Sequence, residues 1–239
     1  MERALNNYAK YILFTIDKEK SLLYFKNLLE KYSVKYYKKQ MHSIKKFLLH
    51  LGVDWANEIL LPKDPITNIK HIDTRDIVHA IDSFNNSKYP SQLNALILLG
   101  ASSWLRAEEL YQLQASDIDL EDRKIYVNHN PKNGQSTKTG KSRVSYFNCE
   151  AQQIFLEYIG YFEKETTFKQ LFSQTHITHL FKGSPLKVKD LRKYFSQEWD
   201  RRGGPTSIKK ILMGHSLKGD VDLMHYNAQS EEDLKRFMI

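Results

Sequence analysis

The chain has 239 residues, 41% of them hydrophobic, which is enough for packed cores and too many for a disordered chain. Lysine and arginine number 36 against 28 acidic residues, a net charge of +8. That balance points to a polyanionic partner, most often nucleic acid, with a lysine-coated surface as the plain alternative. No run of about 18 apolar residues exists, so no membrane span is expected. The N-terminus lacks a basic-then-apolar leader. Cys149 is the single cysteine, which rules out a disulfide framework and fits a reducing compartment.

Residues 1 to about 61 carry helical periodicity throughout. Tyr8, Ile12, Leu13 and Ile16 recur at one spacing, then Leu22, Phe25, Leu28 and Leu29, then Ile44, Phe47, Leu48 and Leu51, with Gly52 as a stop. Lys31, Lys35, Lys38, Lys39, Lys45 and Lys46 are interleaved with Tyr32, Tyr36 and Tyr37. Such a face can hydrogen-bond phosphate oxygens, or it can be an ordinary amphipathic helix with snorkelling lysines. Leu61 to Asn68, with Pro62 and Pro65, breaks the pattern, and a boundary is expected there, giving segments 1–66 and 67–239.

Beyond the break, Asp73 or Thr74 predicts an N-cap for a helix carrying Ile77, Val78, Ile81 and Phe84. An apolar helix follows from Ser91. Arg106 then stands at the edge of a core, between Leu105 and Leu110, with Glu108 and Glu109 as possible ion-pair partners. Residues 117–119, 124–127 and 143–147 read as short strands, the last two joined by a loop rich in Gly, Asn, Ser and Lys. Residues 150–181 return to helix, with Phe155, Tyr158 and Phe172 among the expected core aromatics. His176 and His179 lack further ligands at metal-site spacing, so no metal or other cofactor is expected.

The last quarter is the most distinctive. Lys189-Asp190-Leu191-Arg192 sits on an amphipathic run, Met213-Gly214-His215-Ser216 follows a basic Gly-Pro turn, and Tyr226 lies beyond. Two cations, a histidine and a phenol in this order suit attack on a phosphodiester. In sequence order, Leu105-Arg106-Ala107-Glu108-Glu109-Leu110, Lys138 between two strands, Lys189-x-x-Arg192, Gly214-His215 and Tyr226 resemble the motifs of the tyrosine recombinase (phage integrase) family over about residues 72–230. Two departures stand out. Lys189 occupies a position that is usually His, similar to some archaeal virus integrases. The spacing from His215 to Tyr226 is slightly longer than in common bacterial members.

The resemblance implies a mainly α fold with a small antiparallel β-sheet (α+β). It also implies a helical core-binding domain over 1–66 and a catalytic domain over 67–239. It assigns Arg106 and Arg192 to the non-bridging phosphate oxygens and Tyr226 as the nucleophile. Lys138 becomes the proton donor to the leaving oxygen, with Lys132 and Lys141 as rivals, and Lys189 and His215 become phosphate contacts or proton carriers. The implied partner is double-stranded DNA, bound by a tetramer on two duplexes, in the cytoplasm and on the nucleoid when DNA is bound. An inactive DNA-binding relative and a type IB topoisomerase-like relaxing enzyme remain the alternatives, and whether Tyr226 acts in its own or a neighbouring protomer stays open.

Overall fold

The structure, a computed structural model, describes residues 2–64, 68–165 and 169–215 and residues 230, 232 and 234; for Tyr161 and residues 163–165 only the backbone is described. The chain divides into two compact units, Met1–Ile69 and Lys70–Ile239.

In the first unit, helices α1 (Glu2–Tyr11), α2 (Lys18–Lys31) and α3 (Val34–His50) precede a 3-10 turn at Asp54–Glu58. Asp17 caps α2 by accepting the Lys20 N–H at 2.8 Å, and Ser33 caps α3 through the Tyr36 N–H. The core gathers Tyr8, Phe25, Ile44 and Leu48, and the Tyr8 hydroxyl meets Ser21 Oγ at 2.6 Å. Periodicity places Leu13 and Ile16 on the inner face, but α1 stops at Tyr11 and both are exposed. The cause is a Schellman-type end: the Phe14 N–H reaches the Ala9 carbonyl at 2.9 Å and the Leu13 N–H the Lys10 carbonyl at 3.3 Å. Leu13 and Phe14 adopt φ of 53° and 58°, turning the chain toward the Asp17 cap.

The second unit begins with α4 (Thr74–Asp82), opened by a reciprocal capping box between Asp73 and Asp76. Helix α5 (Pro90–Ser102) starts on a proline at its first position and is buried along most of its length. It packs on α7 (Cys149–Glu165) and α9 (Val188–Arg201). Gly100 lets α5 and α9 touch, because a Cβ there would lie 2.6 Å from Leu191 Cδ1.

Short α6 (Ala107–Tyr111) leads into β1 (Ile118–Asp119), β2 (Lys124–Val127) and β3 (Arg143–Tyr146). Among the described residues these form one antiparallel sheet in the order β1-β2-β3, with Val127 opposite Arg143. The expected fold class, mainly helical with a small antiparallel sheet, is the one observed. The stretch expected as one helical return over 150–181 is broken. After α7 Gln170 forms an isolated bridge to Gln114 and the Leu171 N–H bonds the Leu113 carbonyl at 2.9 Å, before α8 (Gln174–Leu180). Burying Leu171 and Phe172 requires that exit from the helix.

Helices α9 and α10 (Thr206–Leu212) close the unit over a second cluster, Trp104, Tyr146, Phe195, Trp199, Ile208, Leu212 and Met213. Leu234 packs against this cluster, and its N–H donates to the Ser230 carbonyl at 3.2 Å. No helix among the described residues is long and apolar enough to cross a membrane.

Candidate active site

The C-terminal end of α10 organises the site. A helix end leaves carbonyls without intrahelical partners, and they carry the negative end of the helix dipole. Three consecutive carbonyls here accept from three different arginines. Leu212 takes Arg143 Nε at 3.2 Å, Met213 takes Arg192 Nη2 at 2.6 Å, and Gly214 takes Arg106 Nη2 at 3.1 Å. Arg192 also donates through Nη1 to the Trp104 carbonyl. His215 follows directly, and its N–H donates to the Lys210 carbonyl at 3.0 Å.

Arg106 arrives at the head of α6. Its backbone N–H and Nη1 donate to the two carboxylate oxygens of Glu109, each at 2.8 Å. Glu109 is only 4% exposed, and from the other side Arg143 donates to the same two oxygens at 3.0 and 2.7 Å. One buried carboxylate therefore holds two guanidiniums, in the bidentate geometry that gives such pairs their direction. Gly214 fits this crowding. Its φ is 58°, and a Cβ would come within 2.9 Å of Arg143 Cδ.

The charges shape the titration of the group. Burial pushes the Glu109 carboxyl up, but Arg143 first and then Arg106 outweigh it, leaving the carboxyl at about 2. Burial, then the neighbouring Arg106 charge, pulls Arg192 down to about 10. Burial and the charges of Arg192, Arg106, Lys209 and Arg143 hold His215 below its ordinary value. His215 is thus neutral at pH 7, exposed at the surface and able to accept a proton.

Of the six residues singled out by sequence, Arg106, Arg192 and His215 come together on residues 213–215. Lys138 lies exposed in the β2–β3 hairpin, whose turn is tied by Thr137 Oγ1 to the Lys141 carbonyl at 2.9 Å. Lys189 is exposed on α9, one turn before Arg192. Among the described residues, hydrogen bonds and ion pairs join neither lysine to the arginine group. Tyr226 lies outside the described residues. Tyr194, the next tyrosine before it in the chain, is engaged elsewhere, its hydroxyl 3.2 Å from Thr74 Oγ1.

Sequence reading missed Arg143, which looked like the first residue of a strand. Alternation gave no signal for it: Val144 and Tyr146 make the apolar face of β3, so period two assigns Arg143 and Ser145 to the polar face, yet in the structure Ser145 is buried and Arg143 reaches Glu109. Among the described residues no group of three or more His, Cys, Asp or Glu is placed to hold a metal ion.

None of the curated proteins matches the chain by sequence. Solved structures do match by fold. The Tn1549 transposon integrase in complex with circular intermediate DNA aligns with a TM-score of 0.66 at 17% identity, covering 94% of this chain and 85% of that one. XerH site-specific recombinase bound to difH in a post-cleavage complex aligns at 0.58 and 16% identity, covering 97% and 74%. XerA recombinase aligns at 0.50 and 18% identity, covering 98% and 87%. The model of the phage integrase family matches residues 68–232, which takes in the arginine group, His215 and Tyr226. The chain belongs to the phage integrase family and is a site-specific recombinase of the tyrosine type.

Proposed function

We propose that the protein cleaves and rejoins duplex DNA through a covalent 3′-phosphotyrosyl intermediate formed by Tyr226. The observation that carries this reading is the meeting of Arg106 and Arg192 on the carbonyls of Gly214 and Met213, directly before His215. Each guanidinium has five N–H donors and spends only part of them on the protein, so donors remain for phosphate oxygens. A phosphoryl centre gains negative charge as it reacts, and preorganised cations stabilise that charge more than any other device available without a metal.

In this mechanism the Tyr226 phenol oxygen forms a bond to phosphorus as the bond to the 5′-oxygen breaks. The phenol proton passes to neutral His215, and Lys138 gives a proton to the leaving 5′-oxygen. Lys189, on the same helix as Arg192, adds positive charge at the phosphate. The phosphotyrosyl bond conserves the energy of the broken link, so rejoining by the reverse steps needs no nucleotide cofactor.

Residues 1–66 serve as the core-binding domain. Tyr11, Tyr24, Lys31, Tyr32, Tyr36 and Gln40 line a cleft of about 210 Å³ there, and Lys35 and Lys39 stand exposed beside it. Lysine and tyrosine side chains both suit a phosphate backbone. Exchange of strands between two duplexes requires four active sites, hence a tetramer.

The deciding experiment is covalent capture. Wild type and Tyr226→Phe are mixed with nicked fragments of genomic DNA, denatured in detergent, and the protein-bound DNA is sequenced. Recovery of a few related sites from the wild type alone is the expected result. A footprint without an adduct supports an inactive binding protein instead, and relaxation of plasmids without a preferred site supports a topoisomerase-like enzyme.

A further inference from the structure

Trp104 departs from what its residue type allows. Its φ is 63°, in the left-handed region that a bulky side chain with a Cβ rarely enters. Unlike Leu13 and Phe14, which share that conformation but are exposed, Trp104 is only 2% exposed. A strained backbone of this kind persists where its surroundings over-determine it.

Those surroundings are specific. The indole lies against Phe195 and Trp199, with ring centroids 3.5 and 4.7 Å away. Both rings belong to α9, the helix that carries Arg192. Trp199 is itself fixed from behind, its Nε1 donating to the Pro205 carbonyl at 3.1 Å, with Gly204 so close that a Cβ there would collide with the indole. On the other side, the Ser103 carbonyl accepts from Ser145 Oγ of β3. The peptide between α5 and Arg106 is therefore held by its neighbours on both sides. Its Trp104 carbonyl points at Arg192 Nη1, while Arg106 stands two residues further on.

We propose that Trp104 is a positioning residue for the two arginines. Its ring, clamped to α9, holds residue 104 in the left-handed conformation, and that conformation aims the carbonyl that orients Arg192 and sets its separation from Arg106. The inference rests on the proposed cleavage chemistry, in which Arg192 holds a non-bridging phosphate oxygen.

The test compares Trp104→Ala with Trp104→Gly. Both lose the ring, so a role confined to packing predicts equal damage, or more for glycine. A positioning role predicts the opposite order, because glycine enters the left-handed region without penalty and alanine does not. Single-turnover adduct formation is measured on a nicked duplex built on a site recovered by covalent capture, alongside the dissociation constant for the same duplex. The expected rates fall in the order wild type, Trp104→Gly, Trp104→Ala. Alanine should be slower than glycine by about 5- to 30-fold, with DNA affinity unchanged within about twofold.

A second readout uses stereospecific phosphorothioates at the scissile phosphate. Sulfur at the oxygen held by Arg192 slows the wild type, and that effect shrinks in Trp104→Ala because the contact is already loose. Alanine as fast as glycine, or an undiminished sulfur effect, overturns the proposal. Should both variants fail to fold in thermal melts, the 104–105 amide is replaced by an ester, using the α-hydroxy analogue of leucine at position 105. The ester weakens the Trp104 carbonyl as an acceptor and leaves every side chain in place, so a slower rate is expected and a wild-type rate overturns the proposal. A wild type that forms no adduct on any fragment removes the cleavage reading and this inference together. Wild-type cleavage with a fully active Trp104→Ala removes the inference alone.

Discussion

Arg143 and Glu109 face each other side on, with Nη1 and Nη2 of the one 3.0 and 2.7 Å from the two carboxylate oxygens of the other. They are 34 residues apart in sequence and join β3 to α6. Because Glu109 also holds Arg106, removing its charge strands two half-buried cations at once. Breaking one side of a buried pair costs about 3–5 kcal/mol. We expect Glu109→Gln to lose about 3 kcal/mol in urea unfolding of the intact chain, and to slow adduct formation by releasing Arg106. A variant within about 1 kcal/mol of wild type would show that the carboxylate is dispensable.

The same group gives stability an acid limb. Glu109 sits at about 2 in the folded protein against an ordinary 4.5, so the unfolded chain binds the proton more readily. Its contribution is fully present above the ordinary glutamate value and drains away as pH falls toward 2. Between pH 5 and 2 the loss should be on the order of 2–3 kcal/mol. The melting temperature plotted against pH should fall more steeply across that range in wild type than in Glu109→Gln; parallel plots contradict the assignment.

Gly214 offers a separate handle on the turn before His215. Alanine there meets both the positive φ and the Arg143 side chain at 2.9 Å. The backbone penalty alone is about 1–2 kcal/mol. Gly214→Ala should therefore destabilise the second unit by about that amount and slow adduct formation more than it weakens DNA binding. Equal losses in rate and affinity would point to a disturbed DNA surface instead.

His215 predicts the pH dependence of cleavage. Its folded value lies below the ordinary histidine value, so the neutral ring, proposed above as acceptor of the phenol proton, persists as the solution turns mildly acidic. The single-turnover rate should fall on the acid side with a midpoint below the ordinary histidine value of about 6.5. Replacement by Gln should lower the plateau and remove this limb. A rate that rises as pH falls assigns the proton to another group.

Much of this was legible in the chain itself. Hydrophobic periodicity and the Asp73 cap placed the helices around the site, and alternation on either side of the Gly-Lys loop placed the β2–β3 hairpin. Arg106, Arg192 and His215 could be singled out because the resemblance lies in their order. The remainder depended on contacts remote in sequence. Local rules could not show that Arg143 would meet Glu109, or that residues 212–214 would each accept from a different arginine. Nor does a tryptophan signal a left-handed turn, where Gly or Asn is the ordinary choice. The exposed Leu13 defeated the apolar pattern for the opposite reason, since a Schellman-type end overrode periodicity within one turn.

Arg192, docked on two carbonyls and crowded by like charge, has a consequence for reagents as well as substrates. Only the neutral form of a guanidine attacks a dicarbonyl such as phenylglyoxal. With its value at about 10, Arg192 is about one-tenth neutral at pH 9, against about one part in three thousand for an ordinary arginine. Arg192 is therefore expected to modify ahead of an ordinary arginine, and in the proposed mechanism bound DNA should protect it, which reads occupancy of the phosphate position before any bond is cut.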